Sequence, residues 1–214
     1  GGANALMTAS ADRRIDAVIA DITWNDLAQD LFPQSAAGVT EAGPFKKVWA
    51  GTFFSTVSLQ SAYLGECGSF TQPWCDAYRN AVINGAPTVS ERALLASVSP
   101  QNFAANITEP TLLSQGQADS LFPLTESYKT AQVIKKAQPQ TPLSMIWHAA
   151  GHDGGTDQSS YLRTQYLQWF NKYLLEQKVQ FRNLEHEYAS RHLARLQENT
   201  PQSIGTSSLH IDLI

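Results

Sequence analysis

At 214 residues the chain is long enough for one sizeable core with an insertion, and 43% hydrophobic and 10% aromatic residues describe an ordinary globular protein. A net charge of −4, with never more than two basic residues adjacent, argues against a nucleic-acid or anionic-membrane partner. No apolar run approaches the roughly 18 residues of a membrane span, and charged residues make up only 16%, a thin surface charge that points to a secreted or cell-envelope protein, with a cytoplasmic one as the alternative.

In chain order, ANALMTAS predicts a helix of small residues, and IDAVIAD (15–21) a buried strand. Residues 27–108 carry no strand pattern but many aromatics and helical stretches, FKKVWAGTFFSTVSLQSAYL and SERALLASV among them. Eighty residues are too many for a loop between two strands, so this segment is expected to be an inserted helical cap. PTLLSQG (110–116) and LSMIWH (143–148) are Leu-rich or β-branched runs without clean alternation, which is how strands of a parallel sheet read. Between them lies a helical stretch, 123–137, with Pro123 suited to a first turn. After the third strand, Leu162, Tyr166, Phe170 and Tyr173 form one helical stripe. Helix, strand, helix, strand, helix is the order of an α/β parallel sheet, here of three strands. The expected organisation is core over 1–26 and 109–177, cap over 27–108, and a tail over 178–214. In the tail FRNLEHEYASRHLARLQ reads as an amphipathic helix, through Phe181, Leu184, Tyr188 and Leu196, and ENTPQSIGTSSLHIDLI as irregular.

Cys67 and Cys75 sit in LGECGSFTQPWCDAY, with no histidine near enough to suggest a zinc site. Two readings stand, a pair of buried thiols or a local disulfide, and the turn residues Gly68, Ser69 and Pro73 favour the second. The cap aromatics Trp49, Phe53, Phe54, Phe70 and Trp74 are expected mostly to pack together. Trp24, Trp49, Phe53 and Trp74 are the candidates for contact with an apolar substrate group.

All five histidines lie at or beyond position 148. His148 ends a strand and is expected to be a packed or surface residue. His152 follows in a glycine-flanked loop, at the carboxyl edge where parallel sheets build their sites. Asp119 leaves the neighbouring strand at the same edge, and adjacent strands are only about 4.8 Å apart. It is therefore the expected partner of His152, with Asp21 and Asp153 as alternative acids, and a plain helix-capping role as the alternative for Asp119 itself. Such a pair needs a nucleophile before Asp119 in the chain. No G-x-S-x-G occurs, and Ser10, Ser69 and Ser114 lack the strand–turn–helix setting of a reactive serine. The opening GGANALMTAS looks like the back half of such an elbow, with its serine expected two residues before Gly1.

GGANAL, ADRRIDAVIADITWNDL, PTLLSQGQADSLFPLTES, WHAAGHDGG and YLQWFNKYL together resemble the α/β-hydrolase superfamily. The narrower resemblance is to Xaa-Pro dipeptidyl-peptidase/cocaine-esterase serine hydrolases, over about residues 1–176. It implies a partial α/β-hydrolase sheet with Asp119 and His152 as triad acid and base. It also implies a small ester, amide or peptide substrate, no cofactor or metal, and a missing N-terminal hydrolase half as partner. The early strands, the serine and the usual oxyanion donors of that family are not in these residues, and 178–214 lack its β jelly-roll pattern. The expected function is the C-terminal part of a serine hydrolase, inactive alone. A non-catalytic binding module or an inactive fragment is the alternative.

Overall fold

Apolar runs that alternate little are strands covered on both faces, and the computed structural model builds its sheet from them. Residues 1–33, 44–60, 67–175 and 209–213 are described, those at 57–60 and 209–213 by backbone alone. The chain divides into two units, Gly1–Asn25 with Phe103–Ile214, and Asp26–Asn102.

The first unit holds β1 (Val18–Asp21), β2 (Thr111–Gly116), β3 (Leu143–His148) and β4 (Leu209–Leu213), in that order across one sheet. β1 to β3 are parallel, with Asp21 opposite Ser114 and Gly116 opposite His148. Every residue of the central β2 is buried. Because strand side chains alternate, the sheet has two apolar faces. On one, Val18, Ala20, Leu113, Leu143 and Met145 pack with Leu6 and Ala9 of helix α1 (Gly2–Ala11) and with Ala131 and Ile134 of a later helix, Leu124–Ala137. On the other, Ile19, Leu112 and Ile146 meet Leu162, Tyr166 and Trp169 of the helix Ser159–Leu174. Pro123 caps the helix 124–137, with Glu126 in its first turn and Lys135 and Lys136 in its last, charges that complement the helix dipole.

Three expectations change. The strand expected over 15–21 is ladder only from Val18, while Ile15 packs half-buried against the core. Residues 103–108, expected in the cap, belong to the sheet unit because Ala104 and Ile107 are fully buried in its core. Part of the tail expected to be irregular is instead β4, antiparallel to β3 from Leu209 opposite Trp147 to Leu213 opposite Leu143, so the three parallel strands gain a fourth neighbour. The helix expected over 181–197 lies outside the described residues.

The second unit is helical: α2 (Leu27–Leu31), α3 (Lys47–Gln60), α4 (Gln72–Asn84) and α5 (Val89–Ser97). The two later helices of the sheet unit, already described, are thus α6 (124–137) and α7 (159–174). Asp26 caps α2 by accepting the Ala28 and Gln29 amides. Thr88 and Glu91 form a reciprocal capping box at the start of α5. A small core of Ala28, Phe32, Ala81 and Leu95 is flanked by Phe45 and Trp74. Cys67 and the buried Cys75 are joined by a disulfide.

Candidate catalytic site

β2 ends at Gly116, and the next residues turn sharply because Asp119 organises them. Its Oδ1 accepts the amides of Leu121 (2.9 Å) and Phe122 (2.6 Å). Its Oδ2 accepts the His152 amide at 2.8 Å and faces His152 Nδ1 at 2.7 Å. Capping the turn and holding the histidine, posed as alternatives from sequence, are thus both done by one carboxylate. The Asp119 side chain is 0% exposed and that of His152 is 32% exposed. Burial pushes the Asp119 carboxyl up, but the His152 ring and the Phe122 and His152 amides together outweigh it and hold the group below its ordinary range. An ionised Asp119 fixes the proton on Nδ1 and leaves Nε2 as the basic nitrogen of the ring.

The two loops lie against each other with no space between backbones. A Cβ at Gly151 would stand 2.4 Å from the Ala118 carbonyl oxygen, so only glycine fits there. A second carboxylate clamps the same loops, since Asp153 accepts the Ser120 amide at 3.1 Å and its hydroxyl at 2.5 Å. Asp153 is therefore not the partner of His152. Nor is Asp21, which stands 3.8 Å from His148 Nε2.

Aromatic rings flank the imidazole. Phe122, 3% exposed, meets the His152 ring edge-on at 5.5 Å, and Trp24 leans on Phe122 at 5.1 Å. Buried Gln115 ties the segment after β1 to the loop after β2, accepting the Thr23 amide at 3.3 Å and donating to the Phe122 carbonyl at 2.8 Å. Between β1 and Trp24, Ile22 takes φ +40°, a conformation that a β-branched residue adopts only under constraint. The other aromatic candidates belong to the helical unit, where Trp49 stacks on Phe53 and Trp74 packs against the small core. Phe54 stacks with Phe70 and Tyr78.

The N-terminus of α1 comes to the same sheet edge. A Cβ on Gly2 would lie 2.7 Å from the Asp21 carbonyl oxygen, so the helix starts pressed against the end of β1. Phe122 and the Ser120–Asp153 clamp escape sequence reading. The only signal for either is that an aspartate followed by Ser-Leu-Phe-Pro suits a side-chain-capped turn. Among the described residues no group of His, Cys, Asp or Glu gathers as a metal site would, and no helix is long and apolar enough to cross a membrane.

A family model described as the prolyl oligopeptidase family matches residues 40–177. Similar solved structures include an esterase of Pyrococcus furiosus, 13% identical over 81% of this chain and 51% of its own, with a TM-score of 0.45. An acylaminoacyl peptidase of Pyrococcus horikoshii is 16% identical over 81% of this chain and 22% of its own, with a TM-score of 0.48. A 2,6-dihydroxy-pseudo-oxynicotine hydrolase is 16% identical over 84% of this chain and 39% of its own, with a TM-score of 0.41. The chain spans about half or less of the length of each. No curated protein matches it.

Proposed function

The chain belongs to the prolyl oligopeptidase family, and from that premise we propose that Asp119 and His152 are the acid and base of a Ser–His–Asp triad that hydrolyses an ester or amide. The 2.7 Å contact between Asp119 Oδ2 and His152 Nδ1 at the carboxyl edge of the sheet carries the reading. In it, His152 Nε2 takes the proton of a serine as that serine attacks the carbonyl, then returns it to the leaving group. Asp119 keeps the imidazole in the required tautomer and stabilises its cation. The serine comes from outside these residues, in a turn entering α1, because α1 begins beside the end of β1 at the edge that both loops leave. Trp24, with Phe122 behind it, lines the side of the site where an apolar substrate group would lie. Small esters, amides and peptides are the substrate class, with peptides carrying proline near the N-terminus in keeping with the narrower Xaa-Pro resemblance. The Cys67–Cys75 disulfide fits an oxidising compartment, secreted or at the cell envelope.

The test reads the natural sequence upstream of Gly1 and probes that longer protein with a fluorophosphonate. A serine two residues before Gly1, labelled covalently, with labelling lost in His152→Asn, supports the proposal. Labelling of the 214-residue chain by itself overturns the placement of the serine. A different residue at that upstream position, with no labelling, favours a non-catalytic binding module.

A further inference from the structure

His148 has no part in the triad, yet it closes β3 four residues before His152 and is 1% exposed. Strand alternation puts it on the α7 face with Ser114 and Ile146. At this corner the apolar packing of that face gives way to polar atoms. Ser114 Oγ, His148 Nε2 and Tyr166 Oη are all buried without a hydrogen-bond partner. Among them stands the half-exposed carboxylate of Asp21, 3.8 Å from His148 Nε2. Burial pushes the Asp21 carboxyl up, but polar contact with His148, Ser114 and Tyr166 outweighs this and keeps it ionised. Burial, and then the Asp21 charge, drive the Tyr166 phenol far above its ordinary range, so it stays neutral.

The other ring nitrogen faces the catalytic loop. His148 Nδ1 accepts the Ala150 amide at 3.3 Å. A nitrogen that accepts carries no proton, so the neutral ring is protonated at Nε2, toward Asp21. Ala150 is also where the two site loops are put in register. Its carbonyl accepts the Ala118 amide, one residue before Asp119, at 3.3 Å. Two residues further on, the His152 amide bonds Asp119 Oδ2.

We propose that His148 is a positioning residue for the Asp119–His152 pair, holding the Ala150 amide through Nδ1 in the Nε2–H tautomer that Asp21 selects from the edge of the sheet. The role rests on reading that pair as acid and base, but the link itself is measurable on this chain without turnover. Losing the acceptor frees the Ala150 amide, and with it the register of 149–152 against 116–119. The ring then fails even though the first contact is made by a residue that touches no substrate.

The test is NMR of the isotope-labelled 214-residue chain. In the unmodified protein the ring-nitrogen shifts of His148 should report the Nε2–H tautomer, and an Nδ1–H tautomer overturns the proposal. Two variants then separate the ring nitrogens. His148→Asn keeps an oxygen where Nδ1 was and should preserve the downfield His152 Nδ1 proton. His148→Gln places its amide near Asp21 instead, and should lose that proton to exchange with water. Equal retention or equal loss in the two variants overturns the proposal. If neither variant folds, the tautomer of the unmodified protein decides. A chain in which the downfield His152 proton is missing from the start counts against the acid–base pair. The His148 tautomer and the Ala150 amide shift still report on the link to Ala150.

Discussion

Each oxygen of Asp119 already receives two donors, so an amide at this position satisfies only one of them. In Asp119→Asn the oxygen can keep the Leu121 and Phe122 amides. The new NH₂ would then face the His152 amide and ring, donor against donor. Hydrogen bonds to a buried charge are worth about 2 kcal/mol each, so with two of them lost the variant should lose roughly 4 kcal/mol of stability near neutral pH, read by urea unfolding. The sign of the pH dependence follows from the lowered carboxyl. Its contribution is complete above the ordinary aspartate range of about 4 and is lost as pH falls through the lower folded value. The gap between wild type and variant should therefore close in acid, and a gap that widens there counts against the ionised carboxylate. On the proposed triad, the same substitution in a longer protein that supplies the serine should cost roughly 10⁴-fold in kcat by presenting the wrong tautomer. The positions of Asp119 and His152 are legible in sequence because each stands just past an apolar run, in a glycine-containing turn. Asp21 and His148, at the ends of such runs, and Asp153, beside His152, compete with them in sequence. Only the register of the strands sorts them, setting Asp21 opposite Ser114 and toward His148 rather than His152.

At the level of elements, apolar runs locate the three parallel strands because burial on both faces leaves no polar alternation to confuse them. LHIDL gives the opposite lesson. It alternates strictly, the pattern of a one-sided antiparallel strand, but five residues behind a Ser- and Thr-rich stretch carry too little signal until β3 is known to be the neighbour. In the helical unit, local chemistry does what the small core cannot. Thr88 receives the Glu91 amide at 3.3 Å while the Glu91 carboxylate receives the Thr88 amide at 2.6 Å. Thr88→Ala should cost about 1 kcal/mol in the unfolding of this unit, and an unchanged denaturation midpoint would show that α5 is held by packing alone. The disulfide closes a short loop, sequence separation 8, in front of α4. On the chain-entropy relation, replacing both cysteines with alanine should remove roughly 2–3 kcal/mol. Thermal unfolding with and without reductant checks this, since reductant should lower the transition of the unmodified chain and leave that of the variant unmoved.

For the molecule as a whole, the consequential feature is the position of β1. It is the first strand in the order β1-β2-β3-β4, and its ladder runs to β2 alone among the described residues. Yet Val18 and Ala20 are buried, and Ile19 packs against the opposite face, which is the residue pattern of an interior parallel strand. The amides of Val18 and Ile22 bond to Pro110 and Ser114 of the neighbouring chain segment. Backbone alternation then directs the Ile19 amide away from β2. An apolar strand with outward-directed backbone donors is a template for another strand. In solution the 214-residue chain should therefore self-associate through β1, or be held in solution by a second polypeptide that adds a strand beside it. Sedimentation across a concentration series reads the association, and amide exchange locates it. Val18 should be protected in every state, whereas Ile19 should exchange rapidly in dilute monomer and slowly in the associated form. A concentration-independent monomer with a slowly exchanging Ile19 amide would mean that the chain covers this edge by itself, and the case for an added strand beside β1 would fall.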